Sequence, residues 1–166
     1  FCRLHDVAYP FGAGVYVDVP NIFRDPAADP DDPAAYDFAF TDRLIERLIQ
    51  AGCEPVYRFG VSIENAADIR AYRIYPPADN EKWACVCEHI IRHYIDGWAD
   101  GFGYPIRYWE IWNEPDGHPD SEKNQMWRGT FAQYLDLYRA VSRRLRAAFG
   151  GRIRIGGYAS CGFYAI

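Results

Sequence analysis

Apolar residues along this chain fall into two rhythms that alternate from one end to the other. The first is a short run of β-branched and aromatic types, which suit a pleated surface. Residues 1–5, 54–60, 106–112 and 152–156 read this way and predict four strands. The second rhythm recurs every three to four residues and predicts helices. One starts near Thr41, carries Leu44, Ile45, Leu48 and Ile49 on a stripe, and stops at Gly52. The strongest starts near Asp79 and keeps Trp83, Val86, Cys87, Ile90, Ile91, Tyr94, Ile95 and Trp98 on one side. The third opens on a capping box, Thr130 with Gln133. It presents Phe131, Tyr134, Leu135, Tyr138, Val141, Leu145 and Phe149 before Gly150-Gly151 ends it. The stretch 6–36, with an apolar patch at 15–19 and Ile22-Phe23, predicts a long loop, as does the stretch closed by Pro76-Pro77.

Strand, helix, strand, helix, strand, helix, strand is the order of parallel βαβ units. The expected fold is α/β: a partial (β/α)8 TIM barrel of four parallel strands with three intervening helices, forming one domain over residues 1–166. In such sheets ligands bind at the carboxyl ends of the strands. The polar residues gather there: Arg3 and His5 end the first strand, Ser62 and Glu64 follow the second, Asn113 and Glu114 end the third, and Ser160 lies beyond the fourth. Loops at that end are long, whereas the turns at Gly52 and Gly150-Gly151 are short.

The third strand carries the most specific chemistry. Ile106, Tyr108, Trp109, Ile111 and Trp112 build it, Pro115 breaks its ladder, and Asp116-Gly117 turns the chain. A carboxylate, Glu114, is left at the break beside the Asn113 amide and close to two tryptophans. Carboxyl groups in aromatic surroundings are suited to giving up a proton near neutral pH. A glutamate that merely caps the following turn is the plainer reading.

Composition narrows the partners. A net charge of −5 argues against a nucleic-acid footprint, and no apolar run reaches the length of a membrane span. An aromatic content of 17% suits a carbohydrate cleft, although large cores use such residues too. The five cysteines are an odd number without a Cys-x-x-Cys pair, which argues against a zinc ribbon or redox motif. With no signal peptide visible, unpaired thiols favour a reducing, cytoplasmic compartment.

Taken together, Trp112-Asn113-Glu114-Pro115 at a strand end resembles the acid/base signature of retaining glycoside hydrolases on (β/α)8 barrels. The wider pattern is similar to glycoside hydrolase family 39, the β-xylosidase and α-L-iduronidase family. The matching positions are Arg3-x-His5, Tyr36-Asp37-Phe38 with Asp42, Gly52 with Pro55, Pro76-Pro77, Lys82-Trp83, Arg92-His93-Tyr94, and Ile155-Gly156-Gly157. The resemblance implies strands two to five of the barrel, with the first strand and strands six to eight absent. It implies Glu114 as the catalytic acid/base and a carbohydrate substrate held by Asn113, His5, Arg3, Trp112 and Glu64. No metal or other cofactor is expected, and oligomeric state is left open. Arg58 departs from the pattern, standing where relatives often carry an acidic residue.

A retaining mechanism needs a second carboxylate about 5–5.5 Å from the first. Glu110 sits about 13 Å from Glu114 at ~3.3 Å per strand residue, and Glu64 is the other neighbour. The family's nucleophile ends the seventh strand, so it is expected outside this chain, and the segment alone is expected to be inactive. The alternative is a non-catalytic carbohydrate-binding or scaffold protein on the same barrel. His89 and His93, four apart on a helix, lack a third ligand in the sequence and read as structural. Gly60-x-Ser62 fails as a nucleophile elbow because Glu64 replaces the second glycine. Gly12-Ala-Gly14 is too short for a phosphate loop. Arg3, Arg58, Glu110 and Arg154 are expected as a charged layer inside the barrel.

Overall fold

The computed structural model describes residues 1–4, 17–61, 63–64, 70–71 and 74–162, with 63–64 and 70–71 described by backbone alone. Four strands, β1 (Cys2–Arg3), β2 (Pro55–Phe59), β5 (Tyr108–Ile111) and β6 (Arg154–Gly156), form one parallel sheet in the order β1-β2-β5-β6. Pro55 costs no ladder bond because it is the first residue of its strand. Helices α2 (Ala39–Gln50), α3 (Asn80–Asp96) and α4 (Phe131–Phe149) make the three crossovers. This is the repeating unit of a (β/α)8 barrel, present here as four consecutive strands.

Register sorts the strand side chains into two faces. Arg3 pairs with Val56, Val56 with Tyr108, Arg58 with Glu110, and Tyr108 with Arg154. Paired residues and their i+2 neighbours share a face, so Arg3, Arg58, Glu110 and Arg154 all fall on the inner one, as the charged layer requires. The opposite face carries Tyr57, Phe59, Trp109 and Ile111, each no more than 1% exposed. Tyr57 meets Tyr94 of α3 with ring centroids 5.8 Å apart, and Trp109 lies 5.0 Å from Tyr57. The sheet thus buries its apolar face under the helices and leaves the charged face inward.

The helix ends follow local chemistry. Asp79 caps α3 by accepting from the Glu81 and Lys82 amides at 2.9 and 3.0 Å, and Gly97 ends it with a left-handed backbone. The Thr130 hydroxyl accepts from the Gln133 amide at 3.1 Å while the Gln133 side chain accepts from the Thr130 amide at 2.8 Å. That box holds the start of α4, worth about 1 kcal/mol in such caps. The buried stripe of α4 includes Leu137 and Ala140, whereas Phe131 is exposed.

Parts of the expected loops are folded. Within 6–36, residues 6–16 lie outside the described set, but α1 (Val19–Ile22) follows, capped by the Asp18 carboxylate on the Asn21 amide at 3.1 Å. A 3-10 turn spans Pro33–Ala35. Four and three residues are too few to show a helical period, yet Val17, Val19, Ile22 and Phe23 are buried. The loop after β2 contains a two-stranded antiparallel ladder, β3 (Ile63–Glu64) with β4 (Arg70–Ala71). All five cysteines are free, and among the described residues no helix is long and apolar enough to cross a membrane.

His93 is a structural residue. Its Nε2 lies 3.0 Å from an Asp42 carboxylate oxygen that also accepts from the Tyr94 hydroxyl at 2.9 Å. Its Nδ1 lies 2.9 Å from the Trp98 carbonyl oxygen, and its ring stacks on Phe38 at 3.6 Å. The buried imidazole ties α2 to α3.

Candidate active site

The carboxyl end of β5 is built by an abrupt change of backbone. Trp112 continues the ladder, its amide donating to the Phe59 carbonyl at 2.8 Å, but its φ is +72°. Glu114 also has a left-handed backbone, φ +46°, and its amide donates to the Tyr158 carbonyl at 2.9 Å. Left-handed backbone at a bulky residue costs roughly 1–3 kcal/mol and persists where surroundings enforce it. Here Gly60 provides the space: a Cβ there would lie 3.3 Å from the Trp112 Cα, and its own φ of +132° favours glycine.

Asn113 is fully buried. Its Oδ1 accepts from Arg3 Nη2 at 2.6 Å, while Arg3 Nε donates to Glu110 Oε2 at 2.7 Å. One guanidinium therefore binds the amide oxygen and a carboxylate at once, which a planar fork can do. With its oxygen held by Arg3, Asn113 turns Nδ2 the other way, and this buried nitrogen has no hydrogen-bond partner among the described residues. Leaving a buried donor unpaired costs about 1–3 kcal/mol. Beside it Glu114 is half-buried, and no hydrogen bond to its carboxylate occurs among the described residues.

The surrounding wall is rigid. The Trp112 indole is buried and donates to the Met126 carbonyl at 2.8 Å. Its ring also closes an apolar pocket of about 230 Å³ with Phe23, Tyr75, Pro77 and Trp83. Asn124 ties down the loop beyond Glu114, donating to the Pro115 carbonyl at 2.9 Å and accepting from the Met126 and Trp127 amides at 2.8 and 3.0 Å. The Tyr134 hydroxyl donates to the Ile111 carbonyl at 3.0 Å. Burial holds that phenol far above its ordinary pKa, so it stays a neutral donor.

Of the residues expected in the site, Arg3, Asn113, Trp112 and Glu114 come together here. His5 lies outside the described residues, and Glu64 is described by its backbone alone. Glu110 and Asn124 had not been read as parts of the site. Glu110 was legible in one respect, since strand alternation puts it on the inner face with Arg3. Nothing local marks Asn124.

Four consecutive parallel strands with helices between them, and a carboxylate beside an amide where the third strand ends, define part of a (β/α)8 barrel with polar groups at its carboxyl face. The chain belongs to glycosyl hydrolases family 39, whose sequence model matches residues 4–166. It is 25% identical over 163 residues to a β-xylosidase of Geobacillus stearothermophilus, covering 93% of this chain and 30% of that enzyme. A crystal structure of a glucosidase from Croceicoccus marinus superposes with a TM-score of 0.70 at 28% identity, covering 96% of this chain and 28% of that one. A family 39 enzyme from Xanthomonas axonopodis pv. citri shares the fold, with a TM-score of 0.55 at 22% identity over 75% of this chain and 24% of its own. The chain thus spans less than a third of the length of these relatives.

Proposed function

We propose that this chain carries the acid/base half of a retaining glycoside-hydrolase site. In the first step the Glu114 carboxyl group gives its proton to the glycosidic oxygen, and the leaving group departs as an alcohol while a nucleophilic carboxylate forms a bond to the anomeric carbon. In the second, Glu114, now a carboxylate, takes a proton from water as the water oxygen displaces the nucleophile. The nucleophile is supplied outside these residues. Asn113 Nδ2 donates to the sugar hydroxyl next to the anomeric carbon, where hydrogen bonds strengthen in the oxocarbenium-like transition state.

The observation that carries this reading is the buried Asn113 Nδ2, without a partner among the described residues, next to the half-buried Glu114. The relatives include a β-xylosidase and a glucosidase, which supports a glycoside substrate. The test is Glu114→Ala in the complete protein, assayed on an activated aryl glycoside with and without azide. Loss of turnover on poor leaving groups, with azide restoring turnover of the activated one as a glycosyl azide, supports the role. Unchanged hydrolysis by the variant overturns it and favours a sugar-binding barrel without catalysis.

A further inference from the structure

We propose that Asp31, Cys85 and His89 form a binding site for a thiophilic divalent cation of the zinc type, pinning the loop before α2 onto α3. Cys85 and His89 are one turn apart on α3 and so lie side by side. Asp31 comes from the far side of the chain's first loop. Its Oδ1 lies 3.5 Å from Cys85 Sγ and 3.6 Å from His89 Nε2, and the three ligand atoms all fall within 4.8 Å of one another. Bonds of about 2.0–2.3 Å at tetrahedral angles give ligand-to-ligand edges of roughly 3.3–3.7 Å. Two edges already match, and Cys85 Sγ lies 3.6 Å from the His89 ring at Nδ1.

Proton counting points the same way. His89 Nδ1 lies 3.1 Å from the Cys85 carbonyl oxygen, which can only accept, so Nδ1 carries the hydrogen. In the neutral ring this leaves Nε2 with a lone pair to offer. That lone pair faces the Asp31 carboxylate, with only the Cys85 S–H proton to share among three groups. A histidine whose second nitrogen is fixed by a backbone carbonyl is the usual arrangement of a metal ligand.

The charges fit a dication. Thiolate, carboxylate and neutral imidazole together carry two negative charges, which the metal cancels. Glu88, next to His89 in the chain, is already matched, accepting from Arg92 Nε at 2.7 Å and Arg144 Nε at 2.6 Å. Arg144 Nη2 also lies 3.1 Å from Cys85 Sγ, a donor that steadies a thiolate. Hard cations such as Mg²⁺ and Ca²⁺ prefer all-oxygen sites and do not suit this set. Asp31, 72% exposed, gives the ion a route in from solvent.

The test is Co²⁺ titration of the complete protein, followed by the sulfur-to-cobalt charge-transfer band. The expected result is saturation at one Co²⁺ per chain and displacement by Zn²⁺. Cys85→Ser abolishes the band, Cys53→Ser leaves it, and Asp31→Asn, a surface change that does not threaten folding, weakens binding by at least about tenfold. Absence of the band in the unmodified protein, its survival in Cys85→Ser, or unchanged affinity in Asp31→Asn overturns the proposal.

Discussion

Arg3 reaches past β2 to bind Glu110: its Nε donates to the carboxylate at 2.7 Å although their strands, β1 and β5, do not pair. Its other arm holds Asn113 Oδ1 at 2.6 Å. The single guanidinium thus sets the orientation of the amide that precedes Glu114. Lysine offers a point charge rather than a fork and cannot make both contacts in this geometry. Hydrogen bonds to charged groups contribute about 1.5–3 kcal/mol, so Arg3→Lys in the complete protein should lower kcat/KM by about 10- to 100-fold. Steady-state kinetics check this, and unchanged kinetics would separate Arg3 from the site.

Gly60 supports the same corner from β2. A methyl group there meets the Trp112 backbone and ring at 3.3–3.4 Å while forcing a side chain into φ +132°. Backbone strain of this kind costs about 1–3 kcal/mol. Gly60→Ala should therefore lower stability by that amount in denaturant titration and reduce turnover too, since Trp112 leads directly into Asn113. Full stability in the variant would mean that the turn has room to relax.

These two positions also show what could be read from sequence and what could not. Strand β5 and the break at Pro115 were legible because aromatic and β-branched residues run straight into a residue that cannot pair. Helices α3 and α4 were legible because their period holds over 17 and 19 residues. The four-residue α1 and the two-residue strands β3 and β4 are too short for a period to repeat. Long-range polar partners were hidden for a different reason. Arg3 finds Glu110 and Asn113 107 and 110 positions away, and His89 meets Asp31 only after α3 packs beside the first loop. The histidines four apart on α3 read as structural, and folding sends His93 to Asp42 and His89 to Asp31.

The Glu88 cluster makes stability depend on acid. Burial pushes this carboxyl group up, but the hydrogen bonds and charges of Arg92 and Arg144 outweigh it and hold the pKa below the usual carboxylate value. Between the folded and unfolded values the unfolded chain binds more protons, so stability rises with pH there. The contribution is complete above the usual carboxylate value and is lost as pH falls through the folded one. Glu88→Gln should lower the thermal midpoint near neutrality and flatten its decline in acid. Melting curves over a pH series, with chelator present to exclude any metal contribution, check this. A variant that declines in parallel with the unmodified protein would remove the cluster as the cause.

Asn113 can be tested at one atom. Its Oδ1 is satisfied by Arg3, whereas its Nδ2 is buried without a partner among the described residues. Asn113→Asp keeps an acceptor for Arg3 and replaces the unpaired donor by an oxygen. That oxygen is a buried acceptor without a donor, and its charge lies beside the Glu110 carboxylate that Arg3 already binds. The folded protein should therefore melt lower than the unmodified one, since an unsatisfied buried group costs about 1–3 kcal/mol and more when charged. Activity should fall further than stability alone explains. An aspartate cannot donate to a sugar hydroxyl, and sites built to donate lose about 2.7–4 kcal/mol of transition-state stabilisation when the donor is removed, a 100- to 1000-fold fall in kcat. Thermal melting and kcat measured on the same preparation of the complete protein decide the matter. A folded variant that keeps its turnover would show that Nδ2 does not touch the substrate.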